Sequence, residues 1–195
     1  LWIGVPREGT VVQIEPKDAG PDTLETRSVA DPGQDLSLSV LGDGVAVLNK
    51  TAQTMTTLRS DGREAKAEIE LLGAPDSAEM AETSPGTVAA VTVSDPPSVV
   101  TVDDEASHSF DIGAGPGELL GAAVEFHQRV YVPDGAAGLV WVYDLDGTEL
   151  QRIEIDSAGG PIELYHSGDT LFANAVNTNN AVVVSSDGTA QIAEK

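Results

Sequence analysis

Three histidines are the residues of this sequence best suited to moving protons, and two sit in matching surroundings: VEFHQ around His127 and LYHSG around His166. Glu125 stands two residues before His127. In an extended strand, residues two apart share a face. Glu125 and His127 would then form a carboxylate–imidazole pair able to do acid–base work, with His166 joining from the next stretch of chain. The plainer reading makes both histidines loop residues at a sheet edge, and no catalytic residue is assigned. Tyr165 and His166 are the candidates for contacting a ligand. Asp144 and Asp146, in DLDGTE, carry the alternation of a calcium loop. The run lacks the later ligands and the distal bidentate glutamate of such a loop, so a hairpin turn capped by aspartates explains it as well. Asp103-Asp104-Glu105 reads the same way. No cofactor is expected beyond a loosely held divalent cation. The glycines at 113, 115 and 117 surround Pro116 and precede no helix, which argues against a phosphate cradle.

Composition narrows the chemistry further. The 195 residues carry 10 Lys and Arg against 32 Asp and Glu, a formal net charge of −22, and no cysteine. Disulfide scaffolds, zinc–thiolate sites and cysteine nucleophiles are excluded. So acidic a chain repels a phosphate backbone, so nucleic acid is not an expected partner. Its field favours cationic partners, in a salt-sensitive way. No stretch is apolar enough for long enough to span a membrane. The scarcity of Lys and Arg beside abundant Ala, Val, Gly and Asp points to a GC-rich or salt-adapted source. The opening LWIGVPREG has no basic start or cleavage site and reads as a strand.

The elements that must position these residues recur. Acidic turn pairs at Asp18, Asp61, Asp104, Asp146 and Asp187 stand about 42 residues apart, the period of a four-stranded propeller blade. Each follows a β-rich run: TVVQIEP, TMTTLRS, SVVTVD, LVWVYDL, AVVVSS. A second strand lies upstream of each and a further one downstream. Four of the five repeats also have a leading strand, in DLSLSVLG, SAEMAETS, ELLGAAVEF and IELYHSG. Val, Ile, Thr and aromatic residues suit a pleated, half-buried surface, Asp-Gly supplies a tight hairpin, and the Pro-Gly clusters mark crossings between repeats. The aromatic residues of the strands are expected to fill the spaces between blades. Two segments rival this reading as helices: REAKAEIELLGA (Arg63 to Ala74) and SAEMAE (Ser77 to Glu82). The first occupies a slot that other repeats fill with strand-like sequence, so a strand is expected there. The chain is thus expected to be all-β, a single domain of about five β-propeller blades of four antiparallel strands. The repeats cover 1–33, 34–75, 76–116, 117–160 and 161–195. The first lacks its leading strand, which points to an incomplete ring, with a five-bladed ring as the alternative.

The stretch Arg129 to Pro161, RVYVPDGAAGLVWVYDLDGTELQRIEIDSAGGP, resembles the YVTN family of β-propeller repeats. Leu1 to Pro16 resembles the streptogramin-lyase and NHL propellers, and Thr170 to Ile192 is similar to both. The resemblance implies a propeller and leaves function open, because such folds host binding modules and enzymes alike. Streptogramin-lyase enzymes use His and Glu at the ring centre with a magnesium ion, which implies an alternative function as a metal-assisted lyase or hydrolase. Their catalytic motif has no match here, so no catalytic role is carried over. Composition is also similar to actinobacterial secreted or membrane-anchored propellers joined to fibronectin type III domains. The expected function is a noncatalytic extracytoplasmic scaffold that binds a protein or cell-wall ligand. Further blades or fibronectin-like domains are expected elsewhere in the full protein, and a structural spacer is the third reading.

Overall fold

A computed structural model of the protein describes residues 1–18, 20–113 and 119–194. Its strands form five antiparallel sheets, each a meander in which chain neighbours pair. The first has three strands: β1 (Trp2–Val5), β2 (Thr10–Glu15) and β3 (Asp22–Ser28). The second holds β4 (Leu36–Leu41), β5 (Gly44–Asn49), β6 (Thr54–Arg59) and β7 (Glu64–Glu68). The third holds β8 (Ala78–Glu79), β9 (Ala89–Ser94), β10 (Pro97–Asp103) and β11 (Ala106–Asp111). The fourth holds β12 (Val124–Phe126), β13 (Arg129–Asp134), β14 (Leu139–Asp144) and β15 (Glu149–Glu154). The fifth holds β16 (Ile162–Ser167), β17 (Thr170–Ala175), β18 (Asn180–Ser185) and β19 (Ala190–Glu194). No α-helix occurs among the described residues.

The two helix rivals resolve differently. Arg63 to Ala74 contains β7, because Ala65 and Ala67 pair with Thr57 and Met55 of an already buried strand. Ser77 to Glu82 follows a single 3-10 turn, Pro75–Ser77, and keeps only the two-residue β8. The leading strands of the third and fourth sheets are therefore shorter than the sequence led one to expect. The glycine–proline run at 114–117 lies outside the described residues.

The central strands explain the stacking. β5, β6, β9, β10, β13 and β14 are buried almost throughout. Such strands need cover on both faces. Four apolar clusters supply it between successive sheets. Val11, Val45 and Leu58 join the first pair, and Leu48, Met55, Val91 and Val100 the second. Val99, Phe110, Val130 and Trp141 join the third pair; Tyr131, Val142, Leu171 and Val182 join the fourth. Each fully buried Val or Leu contributes about 1.5–3 kcal/mol. Trp141, Tyr131 and Tyr143 fill these layers as expected, while Trp2 and Phe172 are only half-buried. The series stays open at both ends: Ile3 and Leu24 of the first sheet are 43% and 57% exposed, and Tyr165 of the fifth is 52% exposed.

Polar side chains stitch the blades at their turns. Arg59, at the end of β6, donates to Asp43 and Asp104 at 2.6 and 2.8 Å and to the Thr87 carbonyl at 2.8 Å. Thr101 donates to the Leu145 carbonyl at 3.0 Å, and His108 Nε2 lies 2.8 Å from the Asp146 carbonyl. A carbonyl only accepts, so that bond requires the proton of His108 on Nε2.

Candidate functional site

The ends of the first strands of three sheets, β4, β12 and β16, meet the segment that follows β8 around one cavity of about 720 Å³. Its walls come from Val40–Gly42, residues 83–87, Glu125–Gln128, and His166 with Gly168 and Asp169. In a stack of blades only the axis brings the same end of every leading strand together. The cavity therefore lies on the side of the blade stack that faces its axis, where a closed propeller would have its channel mouth.

One wall exists because the third sheet's leading strand is cut short. After β8 the chain runs as a strap along the open edge of β4. Val40 N–H donates to the Glu82 carbonyl at 2.9 Å, Ser84 N–H to Val40 at 2.8 Å, and Gly42 N–H to Gly86 at 2.8 Å. Thr83 pairs with Val40 in a parallel bridge. From the other side Ser84 Oγ donates to the Glu125 carbonyl at 3.0 Å. An edge that would otherwise expose unpaired backbone groups is thereby covered.

Glu125 lies in β12 and is 1% exposed. Its Oε1 accepts the Gln128 N–H at 2.7 Å, while Oε2 has no hydrogen-bond partner of good geometry. Burial pushes its pKa up; the Gln128, Val88 and Thr87 amides and the nearby His127 offset that only in part. Gly86 packs so tightly on the carboxylate that a Cβ there would overlap Oε2. Phe126 pairs directly with Arg129, so His127 and Gln128 form a two-residue turn. Both have positive φ, 50° and 62°, as a type I′ hairpin requires. Non-glycine residues held so cost about 1–3 kcal/mol each. The Glu125 carboxylate, by holding the Gln128 N–H, fastens that turn.

His127 is consequently not a strand neighbour of Glu125 on one face. It packs its ring edge on Phe126 at 4.4 Å, and its Nε2 stands 4.0 Å from Asp169 of the next blade. His166 lies within β16 and lines the same cavity. Tyr165, its neighbour, projects to the opposite face and stacks on Phe172 at 4.8 Å with the rings 6° from parallel. Adjacent strand residues always part in this way, so Tyr165 and His166 do not share a site. Glu125, His127 and His166 thus line one cavity, with Glu125 turned to the Gln128 amide and His127 to Phe126 and Asp169 rather than to one another.

The aspartate turns serve the backbone. Asp144 Oδ1 accepts the Asp146 and Thr148 N–H groups at 3.0 and 2.7 Å, and the Thr148 bond above all lowers its pKa. Asp103 and Asp104 face Arg59. Among the described residues no three His, Asp or Glu side chains are grouped to hold a metal ion. Sequence reasoning missed Gln128, Asp169 and the 82–86 strap. The strap had a signal in the weak β character of SAEMAETS; the positive φ at His127 had none.

No protein-family model and no curated protein matches the sequence. Solved structures do match in shape. A streptogramin B lyase shares 12% identity at a TM-score of 0.67 over 99% of this chain and 64% of its own. The virginiamycin B lyase of Staphylococcus aureus shares 10% at 0.66, over 99% of this chain and 65% of its own. AztD of Citrobacter koseri shares 18% at 0.60, over 100% of this chain and 56% of its own. The chain therefore spans just under two-thirds of the length of the two lyases. At these identities the likeness establishes the β-propeller fold alone.

Proposed function

We propose that this single propeller domain is a noncatalytic scaffold that binds a protein or cell-wall ligand at its channel mouth. The observation that carries the reading is the convergence of three leading-strand ends and the strap after β8 on one cavity, beside apolar walls from Leu41 and Phe126. The spacer reading expects no such cavity. Asp169, 90% exposed, contributes a carboxylate to the rim, and no Lys or Arg lines the cavity, so the group received is cationic. His166 and His127 supply the remaining polar contacts, and no bound cofactor is invoked. An extracytoplasmic location and an actinobacterial source belong to the same proposal, on the strength of the composition and the repeat resemblance.

The test is titration, followed by NMR, with peptidoglycan stem peptides carrying a free side-chain amine and with their N-acetylated forms. Free-amine peptides should shift the Gly86, Gln128 and Gly168 amides. His166→Ala should weaken binding about tenfold, near 1.4 kcal/mol. Equal binding of the acetylated peptides would defeat the cationic specificity, and no shift with any basic peptide would defeat the site.

The presence of Glu125, His127 and His166 on the wall of one cavity, although they are not grouped to hold a metal ion as they stand, is the observation behind a second reading, the metal-assisted lyase or hydrolase. It predicts that magnesium raises the melting temperature, that Glu125→Gln abolishes the rise, and that a streptogramin-type ring is opened only with the metal present. Failure of these three together removes it.

A further inference from the structure

The fourth and fifth sheets share one register across their first three strands, yet only one of them is covered. In the fourth, Val124 pairs with Tyr131, Tyr131 with Val142, and Val142 with Gln151. In the fifth, Tyr165 pairs with Phe172, Phe172 with Val183, and Val183 with Gln191. Tyr165, Phe172 and Val183 therefore stand where Val124, Tyr131 and Val142 stand one blade earlier. The earlier three are each 1% exposed, packed on Leu171, Ala173, Val182 and Val184 of the fifth sheet. The later three bear a stacked aromatic pair on a sheet face with Tyr165 52% exposed.

We propose that this outer face of the fifth sheet docks a further four-stranded sheet of the same repeat, carried by the same protein outside these 195 residues. The face continues, in register and in chemistry, an interface already present four times in the chain. Tyr165 is bulkier than the Val124 it replaces, so the sheet received presents Ala, Gly or Val opposite the aromatic pair. Its own length follows from the fold. The five sheets match about two-thirds of each lyase chain, and a propeller of that size has room for about two to three more blades. The outer face of the first sheet, with Ile3 and Leu24 exposed at 43% and 57%, closes against the far side of the same insert. This inference is independent of what the channel mouth binds.

The test compares the 195-residue chain with the protein encoded by its complete gene. Hydroxyl-radical footprinting should find Tyr165 reactive in the former and protected in the latter, and deuterium uptake across Tyr165 to Phe172 should fall at least severalfold in the longer protein. Tyr165→Lys should lower the melting temperature of the 195-residue chain only by the loss of its stacking on Phe172 and lower that of the complete protein several times more. The footprint needs no variant, so it decides even where the lysine variant of the longer protein fails to fold. Equal reactivity in the two proteins, a complete gene without further sheet-forming repeats, or a dimer of the 195-residue chain that Tyr165→Lys dissolves would each overturn the proposal.

Discussion

Replacing Arg59 tests how the blades are held together. Its side chain is 4% exposed and reaches Asp43, Asp103, Asp104 and the Thr87 carbonyl, binding the second sheet to the turns of the third. Burial works against its charge, and the hydrogen bonds and fields of Asp104 and Asp43 more than offset that. Arg59→Ala leaves the Thr87 carbonyl without this donor and three carboxylates facing one another without their shared cation. Breaking a fully buried pair costs about 3–5 kcal/mol. Here Asp43 and Asp104 are each 35% exposed and Asp103 65%, so water takes up part of the loss, and about 3 kcal/mol is expected. For a chain of this size that is a fall of about 6–12 °C in melting temperature. Arg59→Lys should fall between the two, since one ammonium cannot span the same acceptors. Thermal unfolding followed by circular dichroism at low and high salt is the assay. Salt should recover part of the alanine deficit by screening the carboxylates. A deficit under about 0.5 kcal/mol, within the range of neutral surface changes, would refute the clamp.

Glu125→Gln should stabilise the protein increasingly as pH rises. The folded-state pKa of Glu125 is raised, so its ionisation weakens the fold progressively from about pH 4 upward, whereas the amide keeps the acceptor for Gln128 without the charge; denaturant midpoints from about pH 4 to about pH 8 should diverge, and converging curves would contradict the assignment. Leu171→Ala, at a site that is 0% exposed between the fourth and fifth sheets, should cost about 2–5 kcal/mol, read as a lower urea midpoint with an unchanged slope. Gly147→Ala should cost about 1–3 kcal/mol, because φ there is +85° and a Cβ would strike Phe110; a neutral result would mean the turn has another accessible geometry.

Much of the fold was legible because its signals are short-range. Asp146-Gly147 and Asp187-Gly188 announce hairpins through glycines at φ +85° and +87°, and runs such as LVWVYD are β-branched and aromatic enough to be read as covered strands. The helix rivalry at Arg63 to Ala74 was settled by a neighbour, since β7 takes its form from pairing with β6. Tyr165 and His166 illustrate the limit at a single strand: alternation sends them to opposite faces, and only packing decides which face meets the cavity and which meets solvent.

Strand period, turn position and the beat of about 42 residues belong to the sequence alone, because each depends on backbone geometry and on residues within a few positions of one another. The channel mouth does not. Val40, Ser84, Glu125 and His166 stand some forty residues apart in the chain, and they share one cavity only because consecutive blades turn about a common axis. The tertiary structure also decided that Glu125 would be buried against Gly86, fastening the His127–Gln128 turn and the strap. Burial sets the energy of a carboxylate, and burial is a property of what packs around it.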